Sequence, residues 1–503
     1  MSARARECDV LVVGGGINGT GIARDAAGRG LSVVLCEQHD LAAHTSSAST
    51  KLIHGGLRYL EHFEFRLVRK ALMEREVLLD AAPHIVWPLR FVLPHEPHLR
   101  PAWMIRAGLF LYDHLARRRR LPPSETVDLG RHPAGAPLRR SDREGFLYSD
   151  GWADDARLVV LNAVDAHERG ARILIRTRCA RVVRERGAWS ATLIAHGGER
   201  QAIRARSIVN AAGPWVAAFL DQSTPVRARR AVRLVKGSHI VVPRLFDHSF
   251  AYIFQNVDRR IIFAIPYERA FTLIGTTDVE YHGDPARAAI SAEEVTYLCE
   301  LGSRYFARAV TPADVVFSFS GVRPLLEDES ADPTSVTRDY RLELEADGPA
   351  LLSVFGGKIT TYRRLAEDAL ARLMPLLGAK GAPWTHAAPL PGGDLPGGDY
   401  AAYRAALAQR FPEFAPALLD RWSRAYGTRL NRMLGAATCE AELGEEVVPG
   451  LHAAEIRYLR RTEWAHTAED ILWRRSKLGL HLPPGSAAVL DAWLAQSPAD
   501  SPS

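Results

Sequence analysis

The chain has 503 residues, 47% apolar and 24% charged, which suits an ordinary soluble globular protein of two or three domains. Its five cysteines (Cys8, Cys36, Cys179, Cys299, Cys439) are scattered, which argues against a disulfide framework and a metal site such as zinc and fits a reducing cytosol. Net charge is +6 with pI near 9.1, suited to an acidic substrate, an anionic membrane surface or nucleic acid, while neither an apolar signal core nor a bilayer-length apolar run is found.

Residues 9–13 (DVLVV) form a short apolar run ending in glycines, the pattern of a buried parallel strand. Residues 17–28 carry the Ala and Gly content of a tightly packed helix. Residues 31–36 (LSVVLC) are a second strand, and the three together predict a βαβ unit. Residues 44–61 (HTSSASTKLIHGGLRYLE) fit neither helix nor strand; hydrogen-bonding groups dominate, as around a ligand. Residues 99–115 place Met104, Gly108, Leu111 and Leu115 at helical spacing, with Trp103 and Phe110 adjoining and Arg100, Arg106 and 117–120 flanking. That pattern suits an interfacial helix on an anionic membrane, or a helix packed in a core. Further strands are expected at 173–175, 203–210, 239–242, 261–265, 271–274 and 351–354. Strands mixed with helices after a βαβ start predict an α/β fold with an added, mainly antiparallel sheet. Residues 389–399 (PLPGGDLPGGD) read as a linker to a helical C-terminal part, where Thr467 and Asp470 have capping-box spacing.

Gly14, Gly16 and Gly19 complete a GxGxxG pattern with Asn18 inside it and an acidic residue, Glu37, ending the next strand. The strand–turn–helix context makes this a strong dinucleotide signal. Gly14 allows the tight turn, Gly16 lets a pyrophosphate approach, and Gly19 lets helix and sheet pack, with the helix N-terminus attracting the anion. Glu37 should accept ribose hydroxyls and repel a 2′-phosphate. An NAD domain would continue with more βα units; here the hydroxyl-rich stretch intervenes. Two later segments look like cofactor walls: 208–213, with Ala211 and Gly213, and 353–361, with Gly357, Lys358, Ile359 and Thr360. The latter helix start and Lys358 would raise a flavin's electron affinity, so FAD is favoured.

At this point the chain resembles the FAD-dependent, aerobic glycerol-3-phosphate dehydrogenases, members of the D-amino-acid-oxidase-like superfamily. VVGGGINGTGIARDAAGRGLSVVLCE, TSSASTKLIHGGLRYLEHFEFRLV, YSDGWADDARLV, VNAAGPWV, KGSHIVVPR, IGTTDVEYHGDP, SGVRPLLEDES and LLSVFGGKITTYRRLAEDAL carry the resemblance across nearly the whole chain. Thr50 stands where a serine is expected. The resemblance implies a Rossmann-like FAD-binding domain (1–90, 150–215, 325–388), a substrate-binding cap with a mixed or antiparallel sheet and a membrane-facing segment (91–149, 216–324), and a C-terminal helical domain (400–503). It implies oxidation of sn-glycerol 3-phosphate to dihydroxyacetone phosphate, with hydride leaving C2 for flavin N5. Electrons then pass to a membrane quinone (ubiquinone or menaquinone). The enzyme would be a peripheral homodimer on the cytoplasmic face of the inner membrane.

Thr45, Ser46, Ser47, Ser49 and Lys51 are then candidates for the pyrophosphate and polar flavin edge, and Gly55, Gly56 and Leu57 for backbone lying against the ring. A phosphomonoester dianion needs fixed cations; Arg58, Arg323 and Lys358 are ranked above Arg338. His54 and His239 are the candidate bases for the C2 hydroxyl, with a lean to His54 because it shares a segment with Arg58. Lys236 could tune the flavin or bind phosphate. Competing readings are an O2-using glycerophosphate oxidase, an amine or amino-acid oxidase, and a flavin-binding nucleic-acid module. The last is disfavoured because the basic residues are dispersed and no nucleic-acid motif is recognised.

Overall fold

Uninterrupted apolar strands demand cover on both faces, and the first sheet receives it. This computed structural model describes residues 6–256, 260–326 and 339–497. The strands run in the order Arg341–Glu345, Ala350–Phe355, Arg200–Asn210, Arg6–Val13, Val33–Cys36, Arg172–Leu174, and all but the first pairing are parallel. Period-two alternation sends Val10, Val12, Val33 and Leu35 to one core and Leu11, Val13, Val34 and Cys36 to the other. The helices Ile17–Gly28, Asp155–Glu168 and Tyr362–Leu377 cover the first face. The second is covered by the hairpin Thr177–Glu185/Ala188–Ala195 and the helix Val216–Ser223.

The second sheet has ten strands and is largely antiparallel, built outward from Val232–Pro243, Phe271–Gly275, Ile261–Tyr267 and Ala251–Gln255. Helix Ala292–Tyr305, opened by a Ser291/Glu294 capping box, packs on one face. Helices Phe65–Ala81 and Ala102–His114 pack on the other. Strand Phe317–Leu326 pairs along almost the whole of Val232–Pro243, so Arg323 lies opposite Val235 and Phe319 opposite His239. Strands Val86–Pro94 and Glu144–Ala153 also belong to this sheet and run across the domain limits expected at 90 and 150. Even Leu52 and Ile53, inside the hydroxyl-rich stretch, pair with its edge. Tertiary pairing across nearly a hundred residues decides this membership, and a local pattern cannot carry it.

Three expectations change. The segment 389–399 is no free linker. Leu390 and Leu395 are buried, Leu390 N–H donates to the Ala81 carbonyl (2.8 Å), and Arg24 donates to the carbonyls of Ala388 and Pro389. Its glycines are there for close approach: a Cβ on Gly393 would sit 2.2 Å from the Ala81 carbonyl oxygen. In the helical C-terminal part the segment after Thr467 turns from α at 468–469 into a π-helical turn, Asp470–Arg475, rather than a regular α-helix, and Thr467 and Asp470 exchange capping hydrogen bonds (3.3 and 3.0 Å). Helix Ala102–His114 does not bury the stripe Met104, Gly108, Leu111 and Leu115 as a core-packed helix would: Leu109 and Tyr112 point inward, while Trp103, Phe110 and Leu111 are exposed. No helix among the described residues is long and apolar enough to cross a membrane. Gly393→Ala is expected to cost about 1–3 kcal/mol, because the new methyl meets backbone that cannot yield; thermal melting against wild type checks it.

Candidate active site

The βα turn behaves as its glycines require. Gly14 has φ +113°, and a Cβ there would lie 2.4 Å from the Ala211 carbonyl oxygen; one on Gly19 would lie 1.9 Å from the Gly14 carbonyl oxygen. The turn opens a groove lined by Gly14, Gly16, Asn18, Glu37, Thr45, Ser46, Ala211, Gly213 and Gly357. Sequence reasoning had singled out each of these, and the fold brings them together. The Glu37 carboxylate accepts the Gly15 and His39 N–H groups (2.6 and 2.8 Å), and burial raises its pKa. Ser46 Oγ accepts the Ile17 N–H at the helix start (3.0 Å). Asn18 donates to the Gly356 carbonyl (3.2 Å), and its buried Oδ1 has no hydrogen-bond partner. Gly356 and Gly357 both have positive φ (+69° and +100°), a paired turn that side-chain-bearing residues resist.

The groove therefore fits a dinucleotide: a helix N-terminus at one end, an acidic ribose acceptor beside it, and glycine-only backbone where a ring must pass closely. Trp215 and His44 flank it, their rings 4.8 Å apart edge to face. Burial, with His39 and Arg474 nearby, holds His44 neutral with its pKa pushed down to about 4. Cys36 and Cys179 also line the groove, and burial together with the Cys179 neighbour raises the Cys36 pKa, so two cysteines far apart in sequence are close in space.

Not every hydroxyl of the 45–60 stretch faces this groove. Ser49 Oγ donates to Asp155 (2.7 Å), and the buried Lys51 ammonium pairs with the other Asp155 oxygen (2.8 Å) and the Ser47 carbonyl (3.1 Å). Ser47 Oγ donates to the His44 carbonyl. These groups anchor the stretch to the start of helix Asp155–Glu168. Thr45 Oγ1 donates to the Val322 carbonyl (2.7 Å), which ties the stretch to strand Phe317–Leu326. Gly55 is small because Leu72 and the Tyr112 hydroxyl press against it; its N–H donates to that hydroxyl (2.8 Å). Gly56 is left-handed (φ +79°), and Leu57 begins the short turn Leu57–His62.

That turn carries one of the candidate cations. Arg58 is half-buried, and its Nε makes no hydrogen bond. Beside it, the Tyr59 ring carries the Lys358 ammonium 3.8 Å from its centroid. Lys358 caps the turn Ile359–Thr361, where Thr360 Oγ1 accepts the His54 N–H (3.2 Å). Arg323 pairs with Asp278. Arg338 lies outside the described residues. Lys236 is not available to a flavin or phosphate: it pairs with Glu294 (2.8 Å) and donates to the Ala289 carbonyl.

His239 is buried, stacks on Phe319 (4.9 Å between centroids) and sits 2.9 Å from Thr50 Oγ1 through Nε2, while its buried Nδ1 has no partner. Burial first, then the Lys51 and Arg323 cations, push its pKa down to about 3. Sequence reading missed Thr50, Tyr59, Asp155, Asp278 and Phe319. Thr50 was visible as the odd residue in its motif; the others had no local signal.

Two family models divide the chain. One, described as FAD dependent oxidoreductase, matches residues 9–363, and one described as the C-terminal domain of alpha-glycerophosphate oxidase matches 383–494. The chain is thus an FAD-dependent oxidoreductase. It is 58% identical to a glycerol-3-phosphate dehydrogenase of Pseudomonas aeruginosa, over 97% of this chain and 94% of that one. It is 51% identical to a D-erythritol 1-phosphate dehydrogenase of Brucella abortus, over 98% of each. The solved glycerol-3-phosphate dehydrogenase of Bacillus halodurans complexed with FAD superposes with TM-score 0.77 at 27% identity, covering 97% of this chain and 90% of that one. The chain belongs to the FAD-dependent glycerol-3-phosphate dehydrogenase family.

Three histidines held neutral must charge when the protein unfolds in acid. For the fully buried His239 and His84, both pushed down to about 3, the unfolded chain binds the extra proton below about pH 6.5, so stability falls as pH drops from there toward 3. Each should contribute a slope of up to about 1.4 kcal/mol per pH unit in that window. Denaturant midpoints measured between pH 7 and 4 test this, and His84→Gln should flatten the slope.

Proposed function

We propose that the chain oxidises sn-glycerol 3-phosphate to dihydroxyacetone phosphate, with FAD supplying the hydride acceptor at N5 and a membrane quinone, ubiquinone or menaquinone, taking the electrons. What supports the reading is that two distant segments meet the hydroxyl-rich stretch that carries Arg58: the Lys358 ammonium lies over the ring of Tyr59 next to Arg58, the Val322 carbonyl beside Arg323 accepts from Thr45, and Thr50 of the same stretch contacts His239. A dianionic phosphate suits such a cluster, and Arg323 would exchange its Asp278 partner for phosphate oxygens. His239 is the proton acceptor in this reading, in place of the initial lean to His54. With its proton on Nε2 toward Thr50, Nδ1 presents a lone pair. Burial and the Lys51 and Arg323 cations hold the pKa down, and a bound phosphate dianion would offset those cations and raise the basicity that taking the C2 hydroxyl proton requires. The groove residues Gly14 to Asn18, Glu37, Thr45, Ser46, Ala211, Gly213, Gly356 and Gly357 hold the FAD, with Gly19 and 358–360 supporting it from beside the groove, while Ser49 and Lys51 act on it through the shape of their stretch.

The identity to a D-erythritol 1-phosphate dehydrogenase makes the four-carbon phosphate the competing substrate. Turnover of both compounds with a dye and with quinone decides between them; faster turnover of erythritol phosphate would displace the three-carbon reading. Arg323→Ala and Lys358→Ala should each raise KM at least about tenfold, the loss of a charge-assisted contact, with FAD content unchanged. His239→Asn should lower kcat by about 100-fold or more with little change in KM, whereas His54→Asn should not. Unchanged KM in both cation variants would remove the phosphate clamp.

The same reading places the protein as a homodimer on the cytoplasmic face of the inner membrane. Phe63, Trp103 and Phe110 are 78%, 63% and 65% exposed, and a pair between Arg100 and Glu61 (3.4 Å) joins their two segments. Arg106, on the same helix, and Arg117 and Arg119, in the segment after it, are exposed as well, so exposed apolar rings and cations share this part of the chain. Cosedimentation with anionic vesicles should fall with salt and with a Trp103→Ala/Phe110→Ala double change. Equal binding to neutral vesicles at high salt would contradict the electrostatic component. Sedimentation of the detergent-free protein tests the dimer.

A further inference from the structure

Among the described residues, none beyond Gly357 lines the dinucleotide groove, yet one turn of the C-terminal domain grips the loop that forms one of its walls and the strand that borders it. Arg475, fully buried, holds Asp40 with two parallel hydrogen bonds (2.5 and 2.8 Å), and Arg474 Nε adds a third (2.6 Å). Asp40 is itself buried and begins the loop that becomes the groove wall. Ala42 N–H donates to the Gly15 carbonyl, Leu41 packs over Gly15, and Ala42, Ala43 and His44 line the groove. From the same turn, the Trp473 ring stacks on Phe317 at 4.0 Å and 9°. Phe317 opens the strand that carries Phe319, the stacking partner of His239, and Arg323. Lys477 lies 3.5 Å from Asp154, the N-cap of the helix whose first residue anchors Lys51 and Ser49. The contacts come from a π-helical turn, a rare geometry that here sends Trp473 to Phe317 and both Arg474 and Arg475 to Asp40.

We infer that Arg474, Arg475 and Trp473 are positioning residues, through which the C-terminal domain holds the dinucleotide loop and the substrate strand in place. FAD retention then depends on a domain that does not line the FAD groove. Asp40 is the keystone: two guanidinium groups neutralise it, and the loop that it begins has little secondary structure of its own.

The test uses full-length protein and reads FAD itself. Apoprotein is titrated with FAD by flavin fluorescence quenching, and holoprotein is followed for FAD release. Asp40→Asn should weaken FAD binding by about tenfold or more, because two buried guanidinium groups lose their counter-charge. Trp473→Leu should leave FAD affinity within about threefold while raising KM, since it releases only the strand bearing Arg323. A merely structural role would instead lower the melting temperature of apo and holo forms alike with FAD affinity unchanged. Folded Asp40→Asn protein with wild-type FAD affinity overturns the inference. Should that variant fail to fold, Arg474→Gln decides: it keeps the bidentate pair, is expected to weaken FAD binding measurably, and overturns the inference if affinity is unaltered. FAD affinity does not depend on which phosphate ester is oxidised, so this test can fail while the proposed reaction stands, and the reverse.

Discussion

The buried pair between Lys51 and Asp155 is the constraint on which the site depends. The stretch from Thr45 to Arg58 has too many polar groups and too little apolar periodicity to hold a shape by itself. It is pinned instead by one ammonium and one hydroxyl to a carboxylate at the first residue of a helix, where the helix dipole also favours negative charge. Two charges withdrawn from water cost several kcal/mol each unless matched in geometry, and the match here includes the Ser47 carbonyl and the Ser49 hydroxyl. Once that anchor is set, Ser46 caps the dinucleotide helix, Thr45 reaches the substrate strand, and Thr50 reaches His239.

Around this anchor the molecule uses guanidinium–carboxylate pairs, most of them buried, as its joints. Arg157 binds Glu463, Arg429 binds Glu168, and Arg475 binds Asp40, each joining the C-terminal domain to the rest. Arg363 binds Glu74 within the nucleotide-binding region. Planar forks make these joints directional, which an apolar contact of equal area would not be. The strong bias of the chain toward arginine over lysine finds a physical use here. Of its six lysines, Lys51, Lys236, Lys358 and Lys477 sit in compact sites where a point charge meets a carboxylate, a carbonyl or an aromatic face.

The chemistry follows from keeping opposite tasks apart. The nucleotide groove is glycine backbone with a helix start and an acidic acceptor, a place for a pyrophosphate and a ribose. In the proposed reading the other side takes the phosphate with Arg58, Arg323 and Lys358 and the proton with His239, which burial keeps neutral. Strand Phe317–Leu326 borders both, with the Val322 carbonyl bound to the stretch and Arg323 facing the acid.

By itself the sequence determined the βαβ start, the roles of Gly14 and Gly19, Glu37 beside the turn, and the Gly356–Gly357 wall. Each depends on backbone geometry or a spacing confined to a few dozen residues, and such constraints leave marks in local sequence. Tertiary structure alone decided that Ser49 and Lys51 turn toward Asp155, that Lys236 belongs to Glu294, and that Asp40 answers to arginines more than 430 positions away. It also decided that the glycine-rich segment before the C-terminal domain is packed core rather than tether. A charged side chain takes whichever opposite charge the fold buries beside it, and that choice is made by long-range packing that no run of neighbouring residues encodes.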